Sequence, residues 1–254
     1  MNKKWVLFLL VNTIAFGLNA QKLSFNEDET FKIVQFTDMH YKHGDPRSDT
    51  TLLLLDRILD IEKPDLVVFT GDIVTGPVQE GWNRITAPVI EREIPFAATL
   101  GNHDHEYGVT REEIAEMVTA YPYNINKAFS ESPGRVMDNV IPIYGSTKPL
   151  QEKALVYCFD TGDYSSMNGV GGYDWITPGQ IQWYRKQSLH YTIKNNLEPL
   201  PALAYFHIPL TEYRLAFNDE KNRRYGIRKE DECGLFALIR VSLAIIPLSL
   251  PLGN

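Results

Sequence analysis

The chain has 254 residues, 44% of them hydrophobic and 22% charged, with only 15 Pro and 17 Gly; this globular mixture can bury a core and excludes collagen-like, low-complexity and disordered chains. Thirty-two acidic against 25 basic side chains leave a net charge of −7, opposite in sign to the Lys/Arg clusters that grip nucleic-acid backbones, so nucleic acid is not an expected partner. Two cysteines, Cys158 and Cys233, are too few for a disulfide scaffold.

Residues 1–20 differ in character from the rest of the chain. Lys3 and Lys4 open the chain, Trp5 to Leu18 is an apolar run broken only by Asn12, Thr13 and Gly17, and Ala20 is a small residue before Gln21. That layout predicts a signal peptide over 1–20 and an exported protein, periplasmic or secreted. The run is shorter than the ~20 apolar residues a spanning helix needs, so no stable membrane association is expected after cleavage. Loss of the two lysines takes the charge from −7 to −9.

From Phe31 to Phe36 strand formers dominate, and the apolar positions of Thr51 to Ile61 recur at helical spacing until Pro64. Asp65 to Thr70 is a continuous apolar run, the mark of a strand covered on both faces. A second helix ends near Arg92, Ile94 to Leu100 reads as a third strand, and Thr110 to Ala120 as a helix opened by a Thr cap with Glu113 three residues on. Ala154 to Phe159 is a fourth strand, Thr177 to Ser188 a helix with Pro178 in its first turn, and Ala202 to His207 a further short strand. Strand and helix alternate, which predicts an α/β fold in one domain.

Polar insertions stand where the strands end: Asp38-Met39-His40, Gly71-Asp72, Gly101-Asn102-His103-Asp104 and His207. Strand carboxyl ends line the ligand crevice of open α/β sheets, so the four groups are expected to converge. Carboxylate, amide and imidazole donors together suit a pair of divalent or trivalent first-row metals better than a thiolate-rich structural zinc site. Asp72 is the natural bridge between two cations. Asp38 and His40, two apart, are expected to project the same way from an extended strand end and grip one ion with Asp72. Asn102 and His207 would complete the other, with His103 at the edge to assist a leaving group.

Asp-x-His, Gly-Asp, Gly-Asn-His-Asp and a downstream His, spread over Phe31 to Pro209, resemble the metallophosphoesterases of the calcineurin-like superfamily. Gln35 to His40 and Tyr173-Asp174-Trp175-Ile176 are further similar to its purple acid phosphatase-like branch. The resemblance implies a two-sheet α/β sandwich flanked by helices, a dinuclear centre of Mn, Zn or Fe, and hydrolysis of small phosphate esters. Thr75 stands where purple acid phosphatases place a Tyr ligand, so neither their colour nor ferric iron is implied.

The family's final Gly-His-x-His does not occur, and past Cys233 the text turns apolar with Arg240 as its last charge. These features predict a phosphoesterase domain over 21–236 that is cut short, an atypical tail over 237–254, and one imidazole fewer at each metal. The function expected is an exported metal-dependent phosphoesterase. The alternatives are an impaired or inactive truncated relative, or a secreted binding module. His43, His105 and His190 are expected to lie at the surface or behind the site, Trp82, Trp175 and Trp183 in the core, and Asp104 beside His103 or capping the next segment. Asp160 to Asp163 and Gly169 to Gly172 read as a loop overhanging the cleft.

Overall fold

The computed structural model describes residues 22–127, 132, 134–147 and 151–210. Strands β1 (Ile33–Phe36), β2 (Leu66–Thr70) and β3 (Phe96–Thr99) pair in parallel in that order. Helices α1 (Asp49–Glu62), α2 (Val78–Glu91) and α3 (Arg111–Thr119) follow them in turn. A second sheet joins β4 (Asn139–Tyr144), β5 (Glu152–Phe159) and β6 (Ala202–Phe206), antiparallel across β4 and β5 and parallel across β5 and β6. Helix α4 (Pro178–Lys194) links β5 to β6.

Side chains alternate across each strand and are dealt to two cores. From β1 to β3, Val34, Phe36, Val67, Phe69, Phe96 and Ala98 pack under the helices with Trp82, Ile85 and Leu55. Ile33, Leu66, Val68 and Ala97 face the second sheet, meeting Ile141, Ile143, Val156 and Cys158. On the far side, Leu155, Tyr157 and Phe159 pack with Trp183 of α4. The layers therefore run helices, sheet, sheet, helix, and β2 is buried at all five positions because both its faces are covered. Trp82 and Trp183 are core residues as expected, and Trp175 is half-buried.

Helix ends follow local chemistry. Thr110 and Glu113 form a reciprocal capping box on α3, as Thr177 and Gln180 do on α4, where Pro178 occupies the first turn. Several element ends differ from the sequence expectation, β1 starting at Ile33, α1 at Asp49 and β5 at Glu152. Helix α4 runs on to Lys194, β3 begins at Phe96 because the Ile94 N–H is taken by the Val89 carbonyl, and β4 is an additional strand. Pro142 interrupts the strand-forming pattern of β4, and it is tolerated because β4 is the outer strand of its sheet.

Among the described residues no helix is long and apolar enough to cross a membrane. Cys158 is buried between the sheets, where burial pushes its thiol up to about 12 and makes it inert. The signal-peptide expectation for 1–20, Cys233 and the tail at 237–254 lie outside the described residues.

Candidate metal centre

Three parallel strands place their carboxyl ends along one edge, and the loops that leave them are tied together before any side chain acts. The Asp38 N–H donates to the Gly71 carbonyl at 3.1 Å, His40 N–H to Asp72 O at 2.9 Å, and Tyr41 N–H to Ile73 O at 2.9 Å. Asp38, His40 and Asp72 have φ of 51°, 44° and 52°, in the left-handed region that non-glycine residues rarely occupy, at a cost of order 1–3 kcal/mol each. The alternation expected of Asp38 and His40 on an extended strand end is therefore wrong. Both reach toward Asp72, but through left-handed turns, with Met39 buried between them.

Asp72 is the hub. Its Oδ2 lies 3.2 Å from His207 Nε2 and 3.8 Å from His40 Nε2, while its Oδ1 accepts the His103 N–H at 2.8 Å. Ligand atoms of Asp38, Asp72 and His207 all lie within 4.8 Å of one another, a group that could hold a metal ion. Thr37 Oγ1 donates to Asp38 Oδ2 at 2.6 Å and steadies it. His207 Nδ1 sits 2.9 Å from the Thr70 carbonyl; a proton there leaves Nε2 turned to Asp72, the second-sphere arrangement that fixes a ligating imidazole. Asn102 is buried, its Nδ2 donating to Tyr164 Oη at 3.3 Å.

Charge explains the protonation of the hub. Burial pulls the His207 imidazole down, but the hydrogen bond and charge of Asp72, the Thr70 carbonyl and Asp38 outweigh it and lift it to about 9. Burial conversely pushes the Asp72 carboxyl up, yet His207 and the His103 N–H hold it below the usual range. Glycine makes this crowding possible: a Cβ at Gly101 would lie 2.2 Å from Asp72 Oδ1, and one at Gly71 would lie 2.6 Å from His207 Nδ1.

Asp104 neither orients His103 nor caps a helix. It is fully buried, its Oδ2 accepting the N–H groups of Gly101 at 2.7 Å and Asp72 at 2.9 Å, its Oδ1 those of Ile73 at 2.8 Å and Val74 at 3.3 Å. One carboxylate thus clamps the β2 loop to the β3 loop. His103 pairs instead with Glu106, Nδ1 to Oε2 at 2.8 Å, and its ring centroid lies 5.6 Å from that of His40. Glu106 carries only the local signal of a carboxylate three residues after a site His. His105 Nε2 meets Asp163 at 3.0 Å, whereas His43 and His190 are exposed, the latter against the Tyr191 ring.

These features define a two-sheet α/β protein flanked by helices, with carboxylates and imidazoles that could hold a metal gathered at its strand ends. Residues 31–236 match the calcineurin-like phosphoesterase family, and the chain belongs to that family as a two-sheet metallophosphoesterase sandwich. It is 34% identical over 253 residues to the Arabidopsis thaliana protein named "Probable inactive purple acid phosphatase 29", covering 87% of this chain and 64% of that one. It is 30% identical over 282 residues to Phosphatase DCR2 of Saccharomyces cerevisiae, covering 95% and 47%. Among solved structures, a dimetal phosphatase from Danio rerio is similar over 72% of this chain and 71% of its own, at 13% identity and a TM-score of 0.48. The chain spans 64% and 47% of the lengths of these two curated relatives.

Proposed function

We propose that the protein is an exported, metal-dependent hydrolase of small phosphate esters. The observation that carries this reading is the meeting of Asp38, Asp72 and His207 ligand atoms within 4.8 Å, each from a different strand end. The donors fit a pair of first-row cations: carboxylate and amide oxygens with imidazole nitrogens and no thiolate, around an Asp72 Oδ2 that faces two imidazoles. Asp38, His40 and Asp72 would hold one ion, and Asp72, Asn102 and His207 the other. When bound, such a pair supplies Lewis acidity and an activated water near neutral pH.

The chain's own groups do the rest. Asp104 fixes the backbone on both sides of Asp72 and so presets its carboxylate. Glu106 accepts from His103 Nδ1, which leaves Nε2 free on a side chain that is one-third exposed. In this reading that atom holds a proton for the leaving oxygen or stabilises charge on the phosphoryl oxygens. Export rests on Lys3, Lys4 and the apolar run to Leu18, and fractionation of the expressing cell checks it.

The test is hydrolysis of 4-nitrophenyl phosphate with added Mn, Zn or Fe, together with metal analysis of the folded chain. Turnover that falls at least 100-fold in Asp72→Asn and in His103→Ala, with about two equivalents of metal in the native chain, supports the reading. Turnover surviving both substitutions refutes it. A second reading, a family member that binds without turnover, is favoured by the word "inactive" in the name of the Arabidopsis relative; a folded chain that takes up metal but hydrolyses no ester would establish it.

A further inference from the structure

Residues 163–174 fold back on themselves beside the proposed metal centre. The Asp174 N–H donates to the Asp163 carbonyl at 3.1 Å, the Ser165 N–H to Gly172 O at 2.9 Å, and Tyr164 and Tyr173 form an antiparallel bridge. Three contacts hold this hairpin to the body: Asp163 to His105 at 3.0 Å, Asp174 to Arg135 at 2.7 Å, and Tyr164 Oη to Asn102 Nδ2 at 3.3 Å. Its base is tight, since a Cβ at Gly162 would lie 2.6 Å from Asp174 Oδ2.

The rings of Tyr164 and Tyr173 are stacked, with centroids 5.7 Å apart and planes 20° from parallel. They nevertheless keep 46% and 55% exposure, and the hairpin adds exposed Met167 and Val170. The pair is thus an aromatic surface left half in water beside a site of carboxylates, imidazoles and the Asn102 amide. One end of it touches Asn102, so it stands within a side chain's length of where the phosphoryl group would sit. The hydroxyl has a second contact to make: it accepts from Asn102 Nδ2, which leaves the amide oxygen of Asn102 as the acceptor end of that side chain.

We infer that the Tyr164–Tyr173 pair is a stacking platform that selects phosphate esters carrying a planar ring on the leaving group. This deepens the proposed phosphoesterase reading and rests on it. Stacking is tolerant of ring type because every base and arene presents a π face. The probes are therefore adenosine 5′-monophosphate and phenyl phosphate, against ribose 5-phosphate, which shares the nucleotide's ester bond and lacks its ring.

Native chain and Tyr173→Leu are compared, loaded with the same metal, by kcat/KM on all three esters and by calorimetric binding of each. The expected result is that Tyr173→Leu lowers kcat/KM for a ringed ester about tenfold more than for ribose 5-phosphate, at the low end of base–aromatic stacking. Which ringed ester falls tells a nucleoside from a shorter aryl group. Tyr164→Phe keeps the ring preference while lowering all three values together, because only the Asn102 contact is lost. Equal losses on all three esters in Tyr173→Leu overturn the platform and leave the pair a prop for the hairpin. If the native chain turns over nothing, the phosphoesterase reading fails separately. Binding then decides: adenosine 5′-monophosphate held at least fivefold tighter than ribose 5-phosphate, with the difference erased in Tyr173→Leu, supports the platform, and equal binding overturns it.

Discussion

Neutralising Asp104 sets two opposed effects against each other. Burial, and then the charge of Asp72, push its carboxyl up, which taken alone says that an uncharged residue is better there. Against this stand four backbone N–H groups that end on its two oxygens, at 2.7 to 3.3 Å. Asp104→Asn keeps the shape but puts an NH2 where one oxygen was, so two buried donors face a third. Leaving two N–H groups unsatisfied costs about 2–6 kcal/mol, and relief of the repulsion with Asp72 returns part of it. We expect a net loss of about 3 kcal/mol, which in a domain of this size lowers Tm by roughly 6–12 °C. Urea denaturation at pH 7 measures it, with Asp60→Ala as a control: Asp60 is an exposed partner of Arg92, and its removal changes stability by no more than about 1 kcal/mol. An Asp104→Asn variant as stable as the native chain would refute the clamp.

Three further outcomes are expected from the same geometry. Gly101→Ala puts a methyl 2.2 Å from Asp72 Oδ1 and 2.5 Å from its backbone nitrogen; overpacking of this kind destabilises by about 1–3 kcal/mol, and metal uptake measured by titration falls with it, so an unchanged metal affinity contradicts the close packing. Asp138 is buried and accepts from the Asp160 N–H at 2.7 Å and Gln180 Nε2 at 3.0 Å, yet desolvation raises it to about 6. The folded state then holds more protons than the unfolded one between pH 4 and 6, so stability falls across that window as pH rises, by about 3 kcal/mol in total; Asp138→Asn removes that slope, and parallel pH profiles for the two chains would show the assignment wrong. Thr177→Ala strips the capping box from α4 and costs about 1 kcal/mol in chemical denaturation; a change below about 0.3 kcal/mol would mean that the box contributes nothing.

Much of the fold is legible in the residues because the strands of the first sheet are covered on both faces. Leu66 to Phe69 are all apolar and Thr70 is buried with them, and such a run, bounded by Pro64 and Gly71, leaves little choice of structure. Strand β4 is not legible for the opposite reason: Pro142 breaks the pattern, and only an outer strand paired to β5 makes that proline acceptable. The candidate ligands can be proposed from their places after strands, but their backbone cannot. Asp38, His40 and Asp72 carry no glycine to announce a positive φ, and strand alternation suggests the wrong conformation for them. Asp104 shows its type but not its role, since the four N–H groups it serves come from two loops about 30 residues apart. The contact of Tyr164 with Asn102 spans 62 residues and depends on how one loop folds back, which no local pattern encodes.

The left-handed backbones of Asp38, His40 and Asp72 bear on how this protein can drift. Glycine at position 38, 40 or 72 would keep the main-chain donors and relax the backbone, since a left-handed conformation without a Cβ carries no steric penalty. A lineage selected only for a sturdy scaffold would thus be drawn toward replacements that also strip donors from the cleft. Asp and His at these three positions therefore carry a backbone cost that glycine would not.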